Sequence, residues 1–286
     1  MSSVELGRTY EGRSIEVLIV REPGPYTKPV IWLDCGIHAR EWVSPPACLH
    51  AVDSLLETAN SVDPAENLLS IYDFYIVPVA NPDGYVHSWS QDRMWRKNRK
   101  PNPQPRQWGG FGGGWPSGGF GGFGGSSSNP KCQYGVDPNR NFPANFQKGS
   151  SDHCADSFKG SSPFSEAESR AIRDGVAMIN RKYGANKIAA FVSIHAYSQF
   201  WMSPHGYTYD YPKDYNDHMR VMKKAVGALK TVAGTEFTYG PISDIIYVAY
   251  GSSVDWAYDA GIKYSFGLEL RDTGRHAFML PQVRTD

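Results

Sequence analysis

His38 and Glu41 stand three residues apart in the stretch His38-Ala39-Arg40-Glu41. In a helical turn that spacing puts both side chains on one face. A neutral imidazole and a carboxylate aimed at one point make two-thirds of a His2Glu catalytic zinc site. The pattern is short, and a surface turn that merely contains both residues would look the same. His195 follows the apolar run Ile188 to Ile194; such a residue is either a structural histidine or a third ligand. Glu269 lies in the apolar segment Ile262 to Leu270, where a carboxylate is costly to bury unless it has a partner or a task. Asn139-Arg140 has the donors to bind a carboxylate, the guanidinium in a two-pronged contact and the amide beside it, and it also fits a plain polar turn. The basic, aromatic stretch Arg93-Met94-Trp95-Arg96-Lys97-Asn98-Arg99-Lys100 is either a solvated face or the source of one arginine that points into the site.

Positioning these residues falls to the elements around them. Val30-Ile31-Trp32-Leu33-Asp34-Cys35 reads as a buried strand, broken by Gly36, so His38 and Glu41 belong to a turn at its C-terminal end. That edge is where open α/β sheets collect ligands. Before it, residues 4–20 form a hairpin around Glu11-Gly12-Arg13. After Pro45-Pro46 a helix over Ala47 to Thr58 places Leu49, Val52, Leu55 and Leu56 on one face. Asp63-Pro64-Ala65-Glu66 is a helix start. Tyr75 to Val79 is a strand, ended by the turn Asn81-Pro82-Asp83-Gly84. Ser165-Glu166-Ala167-Glu168 is a capping box opening a helix to about Tyr183, with Gly184 as its stop. A strand over Lys187 to Ile194, a helix from about Lys213 to Val232, a loop carrying Pro241 to Tyr247, a short helix over Ser253 to Ala260 and a last strand over Ile262 to Leu270 complete the chain.

Residues 108–128 differ in character, with 11 of the chain's 29 glycines and five aromatic side chains. Ordering such a segment costs too much backbone entropy for regular structure. It reads as a flexible insertion within one domain, either without a role or as an aromatic flap over substrate.

At 286 residues and 41% hydrophobic content the chain has enough material for one large α/β domain or two small ones; periodic segments along most of its length favour one. Lys+Arg and Asp+Glu are equal at 29 each, which gives no support for a nucleic-acid or other polyanionic partner. No apolar run approaches the roughly 18 residues of a membrane span, and the polar opening from Met1 to Arg13 is no signal peptide. Cysteines at 35, 48, 132 and 154 form no C-x-x-C, which argues against a zinc knuckle or redox pair. Three pairings are open to them, as are four free thiols. The nearest-neighbour pairing closes two short loops and suits a secreted protein.

Taken together the segments resemble the zinc metallocarboxypeptidases of the pancreatic A/B type, from about Val4 to Pro281. The resemblance is carried in order by the H-x-x-E turn, Asn81-Pro82-Asp83-Gly84-Tyr85, Arg93-Met94-Trp95-Arg96-Lys97, Asp137-Pro138-Asn139-Arg140-Asn141, Ser193-Ile194-His195-Ala196-Tyr197 and Gly267-Leu268-Glu269-Leu270-Arg271-Asp272-Thr273-Gly274. It implies an α/β fold with a mixed, mainly parallel, eight-stranded twisted sheet and helices on both faces, spanning 1–286 as a single peptidase catalytic domain. It implies one zinc ion held by His38, Glu41 and His195, with Asp137 orienting His38. By the same likeness Glu269 is the general base and Arg96 stabilises the oxyanion. Asn139, Arg140 and Tyr247 hold the substrate's terminal carboxylate, and Arg40, Tyr197 and Phe278 contact the substrate. Cys35–Cys48 and Cys132–Cys154 are the implied disulfides. Ile242 and Val254 line the specificity pocket, Val254 at the position that is acidic in Lys/Arg-cleaving members, so apolar C-terminal residues are the expected leaving groups. Tyr250-Gly251-Ser252-Ser253 departs from the family's glycine-rich loop, and Ser252 is expected to narrow that pocket. The family's terminal helices and its propeptide are expected to be missing from this chain.

The expected partners are peptide and protein C-termini, with no nucleic acid and no membrane, for a secreted monomer. Two other functions compete: a relative that keeps the fold as a binding module, and a zinc deacylase acting on N-acyl amino acids. The first is usually marked by a lost ligand or base, and none is lost here; against the second, the complete Asn139, Arg140 and Tyr247 set favours peptide ends.

Overall fold

The computed structural model describes residues 1–24, 28–63, 66–103 and 129–281; the glycine-rich stretch 108–128 lies outside them. The strands are β1 (Ser2–Arg8), β2 (Ser14–Val20), β3 (Val30–Cys35), β4 (Asp73–Val77), β5 (Ile188–Ala196), β6 (Phe200–Ser203), β7 (Thr238–Pro241) and β8 (Tyr264–Leu270). The helices are α1 (Ser44–Glu57), α2 (Pro82–Ser90), α3 (Pro130–Gln133), α4 (Ala167–Tyr183), α5 (Tyr215–Ala233), α6 (Ile242–Ile245) and α7 (Ser253–Asp259). All eight strands join one sheet in the order β1-β2-β4-β3-β5-β8-β6-β7. The centre, β4-β3-β5-β8, is parallel, and antiparallel pairs attach β2 to β4 and β6 to β8.

Parallel strands buried on both faces are built from continuous apolar runs, and both faces are covered here. On one, Ile172, Val176 and Ile179 of α4 and Ala257 of α7 pack on Ile15, Val17, Val30, Trp32, Tyr75 and Phe191. Fully burying a side chain of this kind is worth about 1.5–3 kcal/mol. Gly175 lets α4 approach closely, because a Cβ there would sit 2.5 Å from the Trp32 ring. On the other face Cys48, Val52 and Leu55 of α1 pack on Cys35, Phe74, Ile76 and Ile194, while Met222 of α5 meets Phe266 and Leu268. The Cys35–Cys48 disulfide ties the end of β3 to α1, and Cys132–Cys154 closes the second implied bridge.

Several local expectations change. Asn81-Pro82-Asp83-Gly84 is not only a turn: it opens α2, with the Asn81 side chain accepting from the Gly84 amide. Turn residues and N-cap residues are the same types for the same reason, a side-chain oxygen that captures a nearby amide. The start signal at Asp63 leads to no α-helix among the described residues; the chain makes a 3-10 turn at Leu68–Ser70. The capping box at Ser165 does not form. Glu166 occupies the cap position without a side-chain cap bond, Ser165 Oγ donates to Glu166, and Glu168 accepts from Asn98 instead. β6 and β7 had no sequence signal.

Candidate metal centre and substrate cavity

β3 and β5 are neighbouring parallel strands in the register Asp34↔Ser193 and Cys35↔Ile194. Both therefore end at the same edge, and each delivers a histidine there. Beyond β3, Gly36 adopts φ +64°, and the Glu41 amide donates to the His38 carbonyl at 3.3 Å, closing the turn. Ser44 at the start of α1 locks the arrangement: its Oγ accepts from the Gly36 amide at 3.0 Å and donates to the Ile194 carbonyl of β5.

His38, Glu41 and His195 meet, all buried, with ligating atoms within 4.8 Å of one another. His38 Nδ1 lies 2.7 Å from Glu41 Oε1 and 3.1 Å from His195 Nδ1, which is itself 3.1 Å from Glu41 Oε2. On the far side His38 Nε2 meets Asp137 Oδ1 at 3.1 Å. A ring nitrogen tied to a carboxylate carries the proton, leaving the other nitrogen's lone pair to face a metal. Two imidazoles and one carboxylate converging in this way fit a zinc ion, which takes such a set in catalytic sites. Burial opposes ionisation of Glu41, but the two imidazoles outweigh it and hold the carboxyl well below the usual range. Burial, then the Arg96 guanidinium, lower the basicity of His38. For His195 burial acts in the same direction, but Glu41 reverses it.

Asp137 joins this centre to Arg96. Its Oδ1 serves His38 and the Asn139 amide, while Oδ2 accepts from Arg96 Nε and a terminal nitrogen at 3.0 and 2.9 Å. The third guanidinium nitrogen of Arg96 lies 3.7 Å from Glu41. Asn139 and Arg140 follow in the 3-10 turn Pro138–Arg140. The Asn139 Oδ1 accepts from the Ser253 amide at 2.8 Å, and its amide nitrogen lies 3.3 Å from His195 Nε2. Arg140 donates to the Asn139 carbonyl at 2.8 Å and to Tyr247 Oη at 3.1 Å. Gly251, at φ +71°, permits the loop to pass this arginine, since a Cβ there would lie 2.2 Å from the Arg140 carbonyl oxygen.

One cavity brings His38, Arg96, Asn139, Arg140, His195, Tyr247 and Glu269 together with an apolar end formed by Met202, Ile242, Ile246 and Val254. Burial, then the Glu41 carboxylate, push Glu269 above the usual carboxylate range. Ser252 also borders the cavity, but its Oγ accepts from the Asp255 amide and caps α7. Arg40, Tyr197 and Phe278 lie off this cavity as a connected group. The Arg40 guanidinium is 4.6 Å from the Phe278 ring centre, that ring meets Tyr197 edge-on at 4.9 Å, and Arg40 donates to Asp156 at 3.0 Å. Met202 and Ile246 were missed by the sequence reading; Met202 sits on β6, whose four residues carry no periodic signal.

The sequence profile described as "Zinc carboxypeptidase" matches residues 1–285. The chain is 41% identical over 283 residues to carboxypeptidase A2 of Mus musculus, covering 98% of this chain and 60% of that protein. It is 40% identical over 279 residues to carboxypeptidase B of Rattus norvegicus, covering 97% and 60%. The chain thus spans about 60% of the length of these relatives. Among solved structures, bovine thrombin-activatable fibrinolysis inhibitor in complex with tick carboxypeptidase inhibitor superposes with TM-score 0.81 at 35% identity, covering 99% of this chain and 83% of that one. Carboxypeptidase A from Helicoverpa armigera gives TM-score 0.79 at 30% identity, covering 98% and 62%. With a family profile matching nearly the whole length and relatives about 40% identical along it, this chain belongs to the zinc carboxypeptidase family.

Proposed function

We propose that this chain hydrolyses the last peptide bond of peptides and proteins and releases apolar C-terminal residues. The observation that carries the reading is one cavity lined by His38 and His195 of the His38–Glu41–His195 group, by Asn139, Arg140 and Tyr247, by Glu269 and by an apolar end. Zinc held by His38, Glu41 and His195 would supply Lewis acidity and bring a bound water's pKa toward about 7.

The chain's own residues divide the remaining work. Arg140 and Asn139 bind the substrate's terminal carboxylate, which only a chain end supplies, and Tyr247 closes on it. Glu269 accepts a proton from the attacking water and gives it to the leaving amine. Arg96, held by Asp137 on one edge, offers its other edge to the charge that develops on the carbonyl oxygen. Asp137 orients His38. Arg40, Tyr197 and Phe278 contact the substrate further from the scissile bond. Ile242 and Val254, with Met202 and Ile246, receive the released side chain; burying a lysine ammonium among them without a carboxylate is costly. Relatives of both A and B type are about equally similar to this chain, so the pocket and not the overall identity supports the A-type choice. The single continuous sheet supports reading the chain as one catalytic domain, and the two disulfides support an extracellular setting.

The test compares kcat/KM for peptides ending in Phe, Leu or Lys, each with a free and an amidated C-terminus, before and after zinc removal. Zinc-dependent cleavage of free Phe or Leu ends is expected. Cleavage of amidated peptides overturns the exopeptidase assignment, and a Lys preference overturns the pocket assignment.

A further inference from the structure

His38 owes its orientation to Asp137, but no motif supplies a matching carboxylate for His195. The sheet does. Asp34 and Ser193 are register partners on β3 and β5, a few residues short of the two histidines these strands lead to. Ser193 Oγ donates to Asp34 Oδ1 at 2.7 Å and lies 3.1 Å from His195 Nε2. The other oxygen of Asp34 accepts from Trp32 Nε1 at 3.0 Å. Asp34 and Ser193 are fully buried and His195 is 4% exposed, so water does not stand in for any of these partners.

Counting protons fixes the direction of the chain. Burial raises the Asp34 pKa to about 6; above that pH the ionised carboxylate only accepts, so the single hydroxyl hydrogen of Ser193 is committed to Asp34. The remaining lone pairs on Oγ then accept from His195 Nε2–H. The neighbouring Asn139 amide nitrogen, 3.3 Å from Nε2, is a donor, because the Asn139 oxygen is taken by the Ser253 amide, and it therefore has no lone pair for that proton.

We propose that Asp34, acting through Ser193, is a positioning residue that keeps His195 in the Nε2–H tautomer and so leaves Nδ1 free to ligate. The proposal rests on the reading of His38, Glu41 and His195 as the zinc group. It gives each imidazole a carboxylate behind it, direct for His38 and relayed by a hydroxyl for His195. Second-layer partners of this kind change metal affinity by roughly 10–100-fold when removed.

The experiment uses the whole chain, labelled with 15N-histidine, and zinc alone as the probe. Nitrogen chemical shifts of the zinc-loaded protein should show the His195 proton on Nε2. Zinc affinity, measured in competition with a chelator, should fall roughly 10–100-fold in Ser193→Ala and recover in Ser193→Thr. Asp34→Asn should weaken zinc at least as much, because its amide donates to Ser193 Oγ, frees the hydroxyl hydrogen for His195 and favours the Nδ1–H tautomer. A His195 that lacks a proton on Nε2 in the unsubstituted zinc-loaded chain overturns the proposal, and that measurement needs no variant to fold. So does a zinc affinity of folded Ser193→Ala within about twofold of the parent, the result of a purely structural role, which moves only the melting temperature. If instead the parent binds no zinc, or His195→Ala binds it unchanged, the zinc-group reading itself fails.

Discussion

His195 and Glu269 are direct partners across the β5–β8 pair, and each is the penultimate residue of its strand. Partners in a parallel pair project to the same face, so the sheet itself sets the ligand beside the carboxyl with no loop between them. Burial and the Glu41 carboxylate raise the proton affinity of Glu269, the condition a proton carrier needs and a structural anion does not. Glu269→Gln keeps the shape and removes the proton acceptor. Its kcat should fall by about 100-fold or more, while zinc content stays at one ion by metal analysis. Turnover near the parent level would take Glu269 out of the mechanism.

That pair shows why the site was legible. Strands β3, β5 and β8 are apolar runs long enough to read as buried, and a His or Glu at the end of each stands out against them. The choice among cysteine pairings and the role of Asp137 came from family likeness, since a polar turn states no partner, while Asn139-Arg140 offered carboxylate binding and a plain polar turn alike. The Asp34–Ser193 contact was hidden because it depends on register between strands some 160 residues apart in sequence, which neither local pattern contains. β6 and β7 escaped for a different reason. Phe200–Ser203 and Thr238–Pro241 are four-residue segments at the sheet's far edge, too short to display an alternation. With β6 unseen, Met202 and its share of the apolar pocket were unseen too.

Arg140 is held by the Asn139 carbonyl and Tyr247, so its guanidinium is oriented before substrate arrives. Arg140→Gln removes the charge and the two-pronged contact. For peptides with a free C-terminus, kcat/KM should drop roughly 100-fold or more, and the preference over amidated peptides should shrink with it. Parallel kinetics on the two peptide series measure both. An unchanged preference would place the carboxylate site elsewhere.

Val254 is 3% exposed in the apolar end of the cavity. The acid next to it, Asp255, does not contribute there, because both of its oxygens accept from the Gly206 amide at 2.9 and 3.1 Å. Val254→Asp therefore introduces a carboxylate at the cavity's apolar end. The ratio of kcat/KM for C-terminal Lys over Phe should rise about 10–100-fold. A ratio that does not move would mean that residue 254 does not meet the released side chain.

Glu166 and Glu168 are both buried and both accept from the Asn98 side-chain nitrogen at 2.9 Å. Glu166 has further partners in Lys100 and Ser165, while burial pushes the pKa of Glu168 up to about 7 from 4.5. The same Asn98 accepts from the Val136 amide, next to Asp137, so this pair underlies the metal centre's support. Below about pH 4.5 the carboxyl is protonated in both folded and unfolded chains and costs nothing. Between there and about pH 7 the unfolded chain releases the proton while the folded chain keeps it, so stability falls as pH rises, and above about pH 7 the loss is complete. Glu168→Gln keeps an oxygen for Asn98 and never ionises. It should match the parent near about pH 4 and exceed it near about pH 8 by on the order of 1–3 kcal/mol, as measured by urea unfolding at the two pH values. A variant less stable than the parent at the higher pH would mean that Glu168 is ionised in the folded chain and that its charge strengthens the Asn98 bond.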